Sequence, residues 1–179
     1  MLHPENTGLI IIDVQGKLAR IVYESEKLVS NLEKLIRGCQ ILKLPIVWAE
    51  QNPAGLGQTI PELEKLLVNQ KAIEKFSFNA FENDLFKEAV LQSNRKKWIV
   101  CGIETHICVY QTSIGLLTSN FEVEIAADCV SSRLKENKIL ALNKLQKKGA
   151  SLTSVEMCLY ELLASSKNEN FKEILTLIK

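Results

Sequence analysis

The stretch KWIVCGIETHICVYQT, residues 97–112, decides the fold. Its first seven letters form a largely apolar run that is typical of a buried strand, and the letters that follow indicate a helix. We predict this helix from about Thr105 to Ser119. Cys108 and His106 stand at the turn between the two elements, where a reactive side chain would be exposed at the end of a strand.

The same alternation of strand and helix extends over the rest of the chain. Further strands are predicted at GLIIIDV (8–14), IVWAE (46–50), FEVEIAADCV (121–130) and ASLTS (150–154), and further helices at 28–42, from Pro61, at 82–92, 136–148, 155–163 and 171–178. Strands that alternate with helices imply a mostly parallel sheet covered on both faces. We therefore predict one domain over residues 1–179, a Rossmann-like α/β fold of three layers, α/β/α.

Composition and charge exclude several functions. Apolar residues make up 46% of the 179 residues, charged residues make up 24%, and the formal net charge is +1 without a basic block. Nucleic acid and anionic membrane are thus poor candidates for a partner. No apolar run approaches the roughly 20 residues of a membrane span, and the first residues lack the pattern of a signal peptide.

The cysteines indicate a reducing compartment. There are five of them, at positions 39, 101, 108, 129 and 158, and no CxxC pair. An odd number at wide spacing favours free thiols over a disulfide framework, so we expect a cytoplasmic protein. Most of these thiols should be small buried apolar groups.

Ligands of parallel α/β sheets bind at the carboxyl ends of the strands. The polar residues at these ends are Asp13, Glu50 and Gln51, the turn 102–108, and Asp128. Carboxylates in such places are often helix caps or solvated loop residues. Cys108 has more in its favour. If Thr105 is the N-cap, Cys108 is the third residue of the helix, where the helix dipole lowers a thiol pKa and free N–H groups can bind an oxyanion.

His106 is a poor general base for Cys108. Residues two apart on a helix point about 200° apart around its axis, so these side chains do not face each other. Asp13 is a better candidate, because the first strand is usually central in such sheets. Lys75 could supply a cation for the thiolate, since the apolar residues around it predict that it is partly buried; these residues are Ile73, Phe76, Phe78 and Phe81.

Three motifs of the chain resemble those of a known protein family. IIIDVQ, EKFSFNAF and GIETHICVYQT occur in the order and spacing of the isochorismatase-like cysteine hydrolases, and AADCVSSR fits as well. The chain resembles this family from about Thr7 to Ser154. WAEQNPAGLGQTIPEL is similar to the branch of isochorismatase domain-containing proteins.

The resemblance implies a catalytic triad of Asp13, Lys75 and Cys108. Asp13 would accept the thiol proton, Lys75 would stabilise the thiolate and orient Asp13, and Cys108 would attack a carbon, typically of an amide carbonyl. It also implies a cis peptide bond between Ile103 and Glu104, which would direct N–H groups into an oxyanion hole. We assign this turn and oxyanion hole to Ile103, Glu104, Thr105 and Cys108. His106 would then be a helix-surface or subunit-interface residue.

The substrate stays open at this stage. Gln51, Phe76, Phe81 and Glu104 are candidates for its pocket, although core packing explains the phenylalanines equally well. The resemblance implies a small-molecule substrate and a homo-oligomer, a dimer or larger. The alternative is a non-catalytic interaction protein that keeps the scaffold. A nucleotide-binding Rossmann protein is set aside, because DVQGKLAR has one glycine where that fold needs G-x-G-x-x-G.

No metal or cofactor is predicted. Nicotinamidases of this superfamily bind a metal through Asp-x-His and a further histidine after the second strand, but AEQNPAG contains no histidine. The chain has two histidines in total, His3 and His106, which is too few for a typical transition-metal site.

Overall fold

A computed structural model describes residues 1–179 and contains one six-stranded sheet. Its strands are β1 (Thr7–Ile12), β2 (Ile46–Gln51), β3 (Ile73–Lys75), β4 (Lys97–Ile103), β5 (Glu122–Ser131) and β6 (Ser151–Thr153). Their order is β3-β2-β1-β4-β5-β6, and every neighbouring pair is parallel. The predicted fold class, a mostly parallel sheet between helices, is confirmed.

The helices cover both faces of this sheet. They are α1 (Leu18–Ile21), α2 (Ser25–Ile41), α3 (Pro53–Leu56), α4 (Pro61–Glu64), α5 (Asp84–Gln92), α6 (Tyr110–Thr118), α7 (Lys135–Lys147), α8 (Val155–Leu163) and α9 (Phe171–Ile178). No helix is both long enough and apolar enough to cross a bilayer.

Strand β1 shows how the sequence makes three layers. All six of its residues are buried, because side chains alternate between two covered faces. Leu9 and Ile11 belong to the core that also contains residues of α2, α8 and α9. Ile10 and Ile12 belong to the second core, to which α5, α6 and α7 contribute.

Three elements are missing from the sequence prediction. Strand β3 has three residues, of which Lys75 is the buried one, so it lacks the apolar run that identifies a strand. Helices α1 and α3 are single turns of four residues. They are too short to show a helical period.

The helix predicted from Thr105 to Ser119 is divided in two. A π-helical turn, Thr105–Val109, precedes α6, and Glu104 occupies the N-cap position. Cys108 is therefore the fourth helical residue, and its prediction as the third residue after an N-cap at Thr105 was wrong. π-helical turns occur frequently at functional sites.

Gly102 lets this turn approach the centre of the sheet. Its φ is +115°, and a Cβ atom built on it would collide with the backbone of Ile12 in β1. A residue with a side chain would separate β4 from β1 at this edge. The glycine thus brings the turn that carries Cys108 next to Asp13, the residue that follows β1.

Candidate active site

The site lies at the carboxyl edge of the sheet, where five adjacent strands each end in a polar residue or turn. In sheet order these are Lys75 at the end of β3, Gln51 at the end of β2, Asp13 after β1, the 104–108 turn after β4, and residues 132–133 after β5. Parallel strands place all of these ends at one edge.

Lys75 and Asp13 form a buried ion pair. The Lys75 Nζ atom lies 2.7 Å from Oδ2 of Asp13, and the two residues are 0% and 2% exposed. Nζ also donates to Gln51 Oε1 at 2.8 Å and to the Ser77 carbonyl at 3.3 Å. These three bonds use every donor of an ammonium group, so the cation is fixed in place.

Asp13 keeps one oxygen free. Its backbone is left-handed, with φ +53°, which directs the chain out of β1 at this residue. Oδ2 accepts from Lys75, whereas Oδ1 is buried and has no hydrogen-bond partner of standard geometry. Burial raises the pKa of the Asp13 carboxyl, and the Lys75 charge and contacts with Lys75 and Cys108 partly offset this rise. A carboxylate in this state is a good proton acceptor.

Cys108 lies beside Asp13, close enough for each group to shift the pKa of the other. The pKa of the Cys108 thiol is raised to about 12, chiefly by burial and also by the negative charge of Asp13, while the charge of Lys75 lowers it. The expectation of a lowered pKa was wrong, because desolvation outweighs the effect of the cation. The resting residue is therefore a neutral thiol at physiological pH.

Glu104 is bound to Arg133 and has little freedom to line a pocket. Its buried Oε1 accepts from the backbone N–H of Arg133 at 2.9 Å and from Nε of the same residue at 3.1 Å. The negative charge of Glu104 also raises the Cys108 pKa. The peptide bond from Ile103 to Glu104 is cis.

His106 is paired away from the thiol. Its Nδ1 atom lies 2.9 Å from Oγ of the buried Ser132, and Nε2 lies 3.5 Å from Nδ2 of Asn137. Half-buried, it joins the π-helical turn to the segment after β5. It is a packing residue of the turn rather than a simple surface residue.

The aromatic residues around Lys75 do not share one environment. Phe81 is buried and packs edge-on against Phe121. Phe76 and Phe78, however, are 75% and 53% exposed, so core packing explains neither of them, although Lys75 itself is buried. Phe76 follows the inward-pointing Lys75 and therefore points outward.

Two carboxylates at other strand ends are structural. Glu50 accepts from the backbone N–H of Thr59 at 2.6 Å. Asp128 accepts from the backbone N–H of Val155 at the start of α8, at 3.1 and 3.2 Å. Both agree with the interpretation of such residues as loop and helix caps.

Sequence reasoning missed the role of Gln15. This buried side chain accepts from the backbone N–H of Gln51 at 2.7 Å and donates to the carbonyls of Gln51 and Gly57 at 3.1 and 2.6 Å. It thereby holds Gln51 against Lys75. The only available signal was its place two residues after Asp13 in the motif IIIDVQ.

Thr105 is another buried polar residue of the turn. Its Oγ1 atom has no hydrogen-bond partner in the folded chain. Such atoms are uncommon in folded proteins, and one in a candidate oxyanion turn is a potential donor to a ligand.

The cavity beside Trp48 does not contain the candidate nucleophile. It measures about 620 Å³ and includes Trp48, Glu50 and Pro61 in its lining. Trp48 belongs to the core on the α2 face of the sheet, whereas Cys108 belongs to the core on the opposite face. No group of three or more His, Cys, Asp or Glu side chains has a geometry that could hold a metal ion.

Comparisons with known proteins agree with this architecture. The isochorismatase domain model matches residues 7–157. Isochorismatase domain-containing protein 2 of Danio rerio is 34% identical over 99% of this chain and 89% of its own length. The solved MAR1 ribonuclease of Caenorhabditis elegans is 32% identical, with a TM-score of 0.93 over 99% of this chain and 91% of that chain.

A second solved structure shares the fold at lower identity. YcaC of Escherichia coli, described as an octameric hydrolase of unknown specificity, has a TM-score of 0.94 at 23% identity, over 99% of this chain and 88% of that chain. The parallel sheet and these likenesses define an α/β protein of the isochorismatase fold. The chain belongs to the isochorismatase family of hydrolases, and the predicted resemblance to isochorismatase domain-containing proteins is confirmed.

Proposed function

We propose that the chain is a metal-independent cysteine hydrolase that cleaves a C–N bond of amide type in a small molecule. The observation that carries this proposal is the buried contact of Asp13 with Lys75, with Cys108 beside the same carboxylate. The three residues come from separate parts of the chain and meet at the edge where such sheets bind ligands.

The raised pKa of Cys108 determines how the reaction begins. Because the thiol is neutral at rest, the thiolate must form as the substrate reacts. Oδ1 of Asp13 has no other partner and takes the proton while sulfur attacks the carbonyl carbon. A C–S bond forms, and the electron pair of the carbonyl moves to its oxygen.

The remaining steps return the enzyme to its resting state. The oxyanion collapses, the C–N bond breaks, and Asp13 gives its proton to the leaving nitrogen, which leaves a thioester on Cys108. Water then attacks the thioester, Asp13 accepts a proton from it, and the carboxylic acid product departs. The thiolate finally takes the proton back from Asp13.

Other groups have supporting roles in this scheme. Lys75 keeps Asp13 ionised and oriented, because all three ammonium donors are fixed. We place the oxyanion hole at the backbone N–H groups of the turn from Ile103 to Cys108, except that of Ile107, which donates to the Glu104 carbonyl. Gln51 and the exposed Phe76 would border the substrate at its entrance.

The proposed assembly is a homo-oligomer. The structural neighbour YcaC is described as octameric. Four apolar side chains are more than half exposed. They are Phe76 and Phe78, near the site, Leu134, the N-cap residue of α7, and Leu140, within α7. A second copy of the chain would cover such residues.

All five cysteines are free, which supports a reducing compartment such as the cytosol.

A panel of small amides, imides and carbamoylated compounds tests the proposed function. We expect turnover of at least one amide by the purified chain and none by the Cys108→Ala variant. Absence of turnover by the unmodified chain across the panel would favour the non-catalytic interaction protein. Because one relative is named a ribonuclease, the panel includes RNA. The net charge of +1 argues against RNA as the substrate.

A further inference from the structure

We propose that Arg133 binds a carboxylate of the substrate, so that the preferred substrates are small amides that also carry an acid group. This inference rests on the proposed hydrolase and names the class of molecule that its site would accept. It assigns a binding role to a residue that the triad does not use.

The sheet places Arg133 across the nucleophile turn from the ion pair of Asp13 and Lys75. Strands β1, β4 and β5 are neighbours in that order, and Ile103 of β4 pairs with Ser131 of β5. Asp13 follows β1, the turn with Cys108 follows β4, and Arg133 stands two residues beyond the end of β5. A substrate at Cys108 would therefore lie between Asp13 on one side and Arg133 on the other.

A buried carboxylate anchors Arg133 in this position. Glu104 is 5% exposed and holds Arg133 through both the backbone N–H and Nε. Glu104 is the N-cap residue of the π-helical turn that carries Cys108, so the anchor belongs to the same turn as the reacting sulfur. The cost of burying this carboxylate is offset by a cation whose side chain is 56% exposed.

The contact with Glu104 leaves the two terminal nitrogens of the Arg133 guanidinium free. Glu104 contacts Nε, and the two terminal nitrogens make no hydrogen bond within the chain. The Arg133 side chain is 56% exposed, so these nitrogens are accessible. Their N–H groups form a planar fork that matches the two oxygens of a carboxylate.

The local charges also favour an anion at this point. Glu104 neutralises about one positive charge, but the start of α7 directly after Arg133 adds the partial positive charge of a helix N-terminus. The opposite charges of Lys135 and Glu136 in its first turn offset each other. An amide substrate with an acid group could thus be held at one end by Arg133 while its carbonyl faces Cys108.

Matched pairs of small amides test this inference. Malonamate, succinamate and glutaramate each carry one amide and one carboxylate, and each is compared with the corresponding diamide. We expect kcat/KM to favour at least one acid over its diamide. In Arg133→Met this ratio should fall about 10- to 100-fold, as expected for the loss of a charged hydrogen-bonded contact. Arg133→Lys should give an intermediate ratio, because lysine keeps the charge and loses the fork.

Binding to the Cys108→Ala variant separates this inference from the proposed chemistry. Calorimetric titration with the same acids and diamides needs no turnover. We expect an acid to bind Cys108→Ala more tightly than its diamide does and to lose this preference in the Cys108→Ala/Arg133→Met double variant. That result supports the carboxylate subsite even if hydrolysis fails. Equal binding of acid and diamide at all three lengths, or a preference that Arg133→Met leaves unchanged, would overturn it. Arg20→Met, which removes an exposed arginine paired with Glu62, is the matched control and should keep the preference.

Discussion

The ammonium of Lys75 lies 2.7 Å from the carboxylate of Asp13, and neither residue is more than 2% exposed. A buried ion pair of this kind is costly to break, because each charge then loses its partner in a medium that solvates it poorly. The same contact leaves Oδ1 of Asp13 without a hydrogen-bond partner, and Asp13 and Cys108 shift each other's pKa. Stability and the proposed chemistry therefore depend on the same two side chains.

Lys75→Met should remove activity and reduce stability. The variant leaves Asp13 buried without its cation, so we expect a loss of about 3–5 kcal/mol in the free energy of unfolding. Asp13→Asn in the same chain should recover part of this loss, since it removes the unpaired charge. Urea denaturation of the single and double variants measures both effects. Near-normal activity in Lys75→Met would contradict the triad even if Cys108 is the nucleophile.

Cys108 should be the thiol that iodoacetamide labels first, because it is 7% exposed and the other four cysteines are 0% exposed. With a pKa of about 12, its labelling rate should rise steadily from neutral to alkaline pH. Peptide mass spectrometry across this range gives the rate for each cysteine. A rate that is already constant near neutral pH would show a resting thiolate, and faster labelling of Cys39 or Cys158 would contradict the assignment.

The acid side of the pH profile should report Asp13. Since burial raises the pKa of this carboxyl above 3.8, kcat/KM should begin to fall with decreasing pH at a higher pH than for an ordinary aspartate. The raised pKa of Cys108 predicts no further change between about pH 7 and 10. Initial rates over this range test the profile. A pKa in the neutral range that persists in Asp13→Asn would point to a different base.

Linkage gives the sign of the accompanying change in stability. The folded chain holds the Asp13 proton more tightly than the unfolded chain does. This contribution to stability is fully present below pH 3.8 and is lost as the pH rises through the folded-state pKa. The unfolding free energy of the unmodified chain, relative to that of Asp13→Asn, should therefore decrease as the pH rises through the folded-state pKa. An increase over the same pH range would indicate a lowered pKa.

Thr105→Val should lower turnover without lowering stability. The buried Oγ1 of Thr105 has no partner, so its removal costs no hydrogen bond in the free protein. If it donates to the oxyanion, kcat should fall by about tenfold or more. Ser113→Ala is the matched control, because this α6 hydroxyl is also buried and unpartnered. Equal effects of the two variants on kcat would remove Thr105 from the proposed oxyanion hole.

Chelation should leave any hydrolase activity unchanged, because the proposed steps use only protein groups. Elemental analysis of the purified chain and assays after chelator treatment measure this directly. One tightly bound zinc per chain, with activity lost on chelation and restored by zinc, would contradict a metal-independent reaction.

Features that depend on a local sequence pattern could be predicted, whereas those that depend on strand pairing or burial could not. Apolar runs such as Leu9–Ile12 identify buried strands directly, so the order of the main elements and the parallel sheet were predictable. Strand β3 was not, because its pairing with β2 compensates for a weak local pattern. The motifs suggested Asp13, Lys75 and Cys108. The direction of the Cys108 pKa shift depends on how deeply the thiol is buried, which the sequence does not specify.

The pair of Glu104 and Arg133 shows the same limit. These residues are 29 positions apart, and nothing in the sequence indicates that they touch. Only the pairing of β4 with β5 brings their strand ends together. From the sequence, Glu104 is therefore a candidate pocket residue, and Arg133 is only the last letter of the motif AADCVSSR.

The most direct test of the central claim is the mass of the chain during turnover. A reaction with an amide that the panel shows to be a substrate is quenched with acid within one turnover, and the protein is analysed intact and after proteolysis. The mechanism predicts that the acyl part of the substrate is attached to the peptide that contains Cys108. It also predicts that this adduct is absent from Cys108→Ala. Turnover by Cys108→Ala, or an acyl group attached to any other residue, would contradict it.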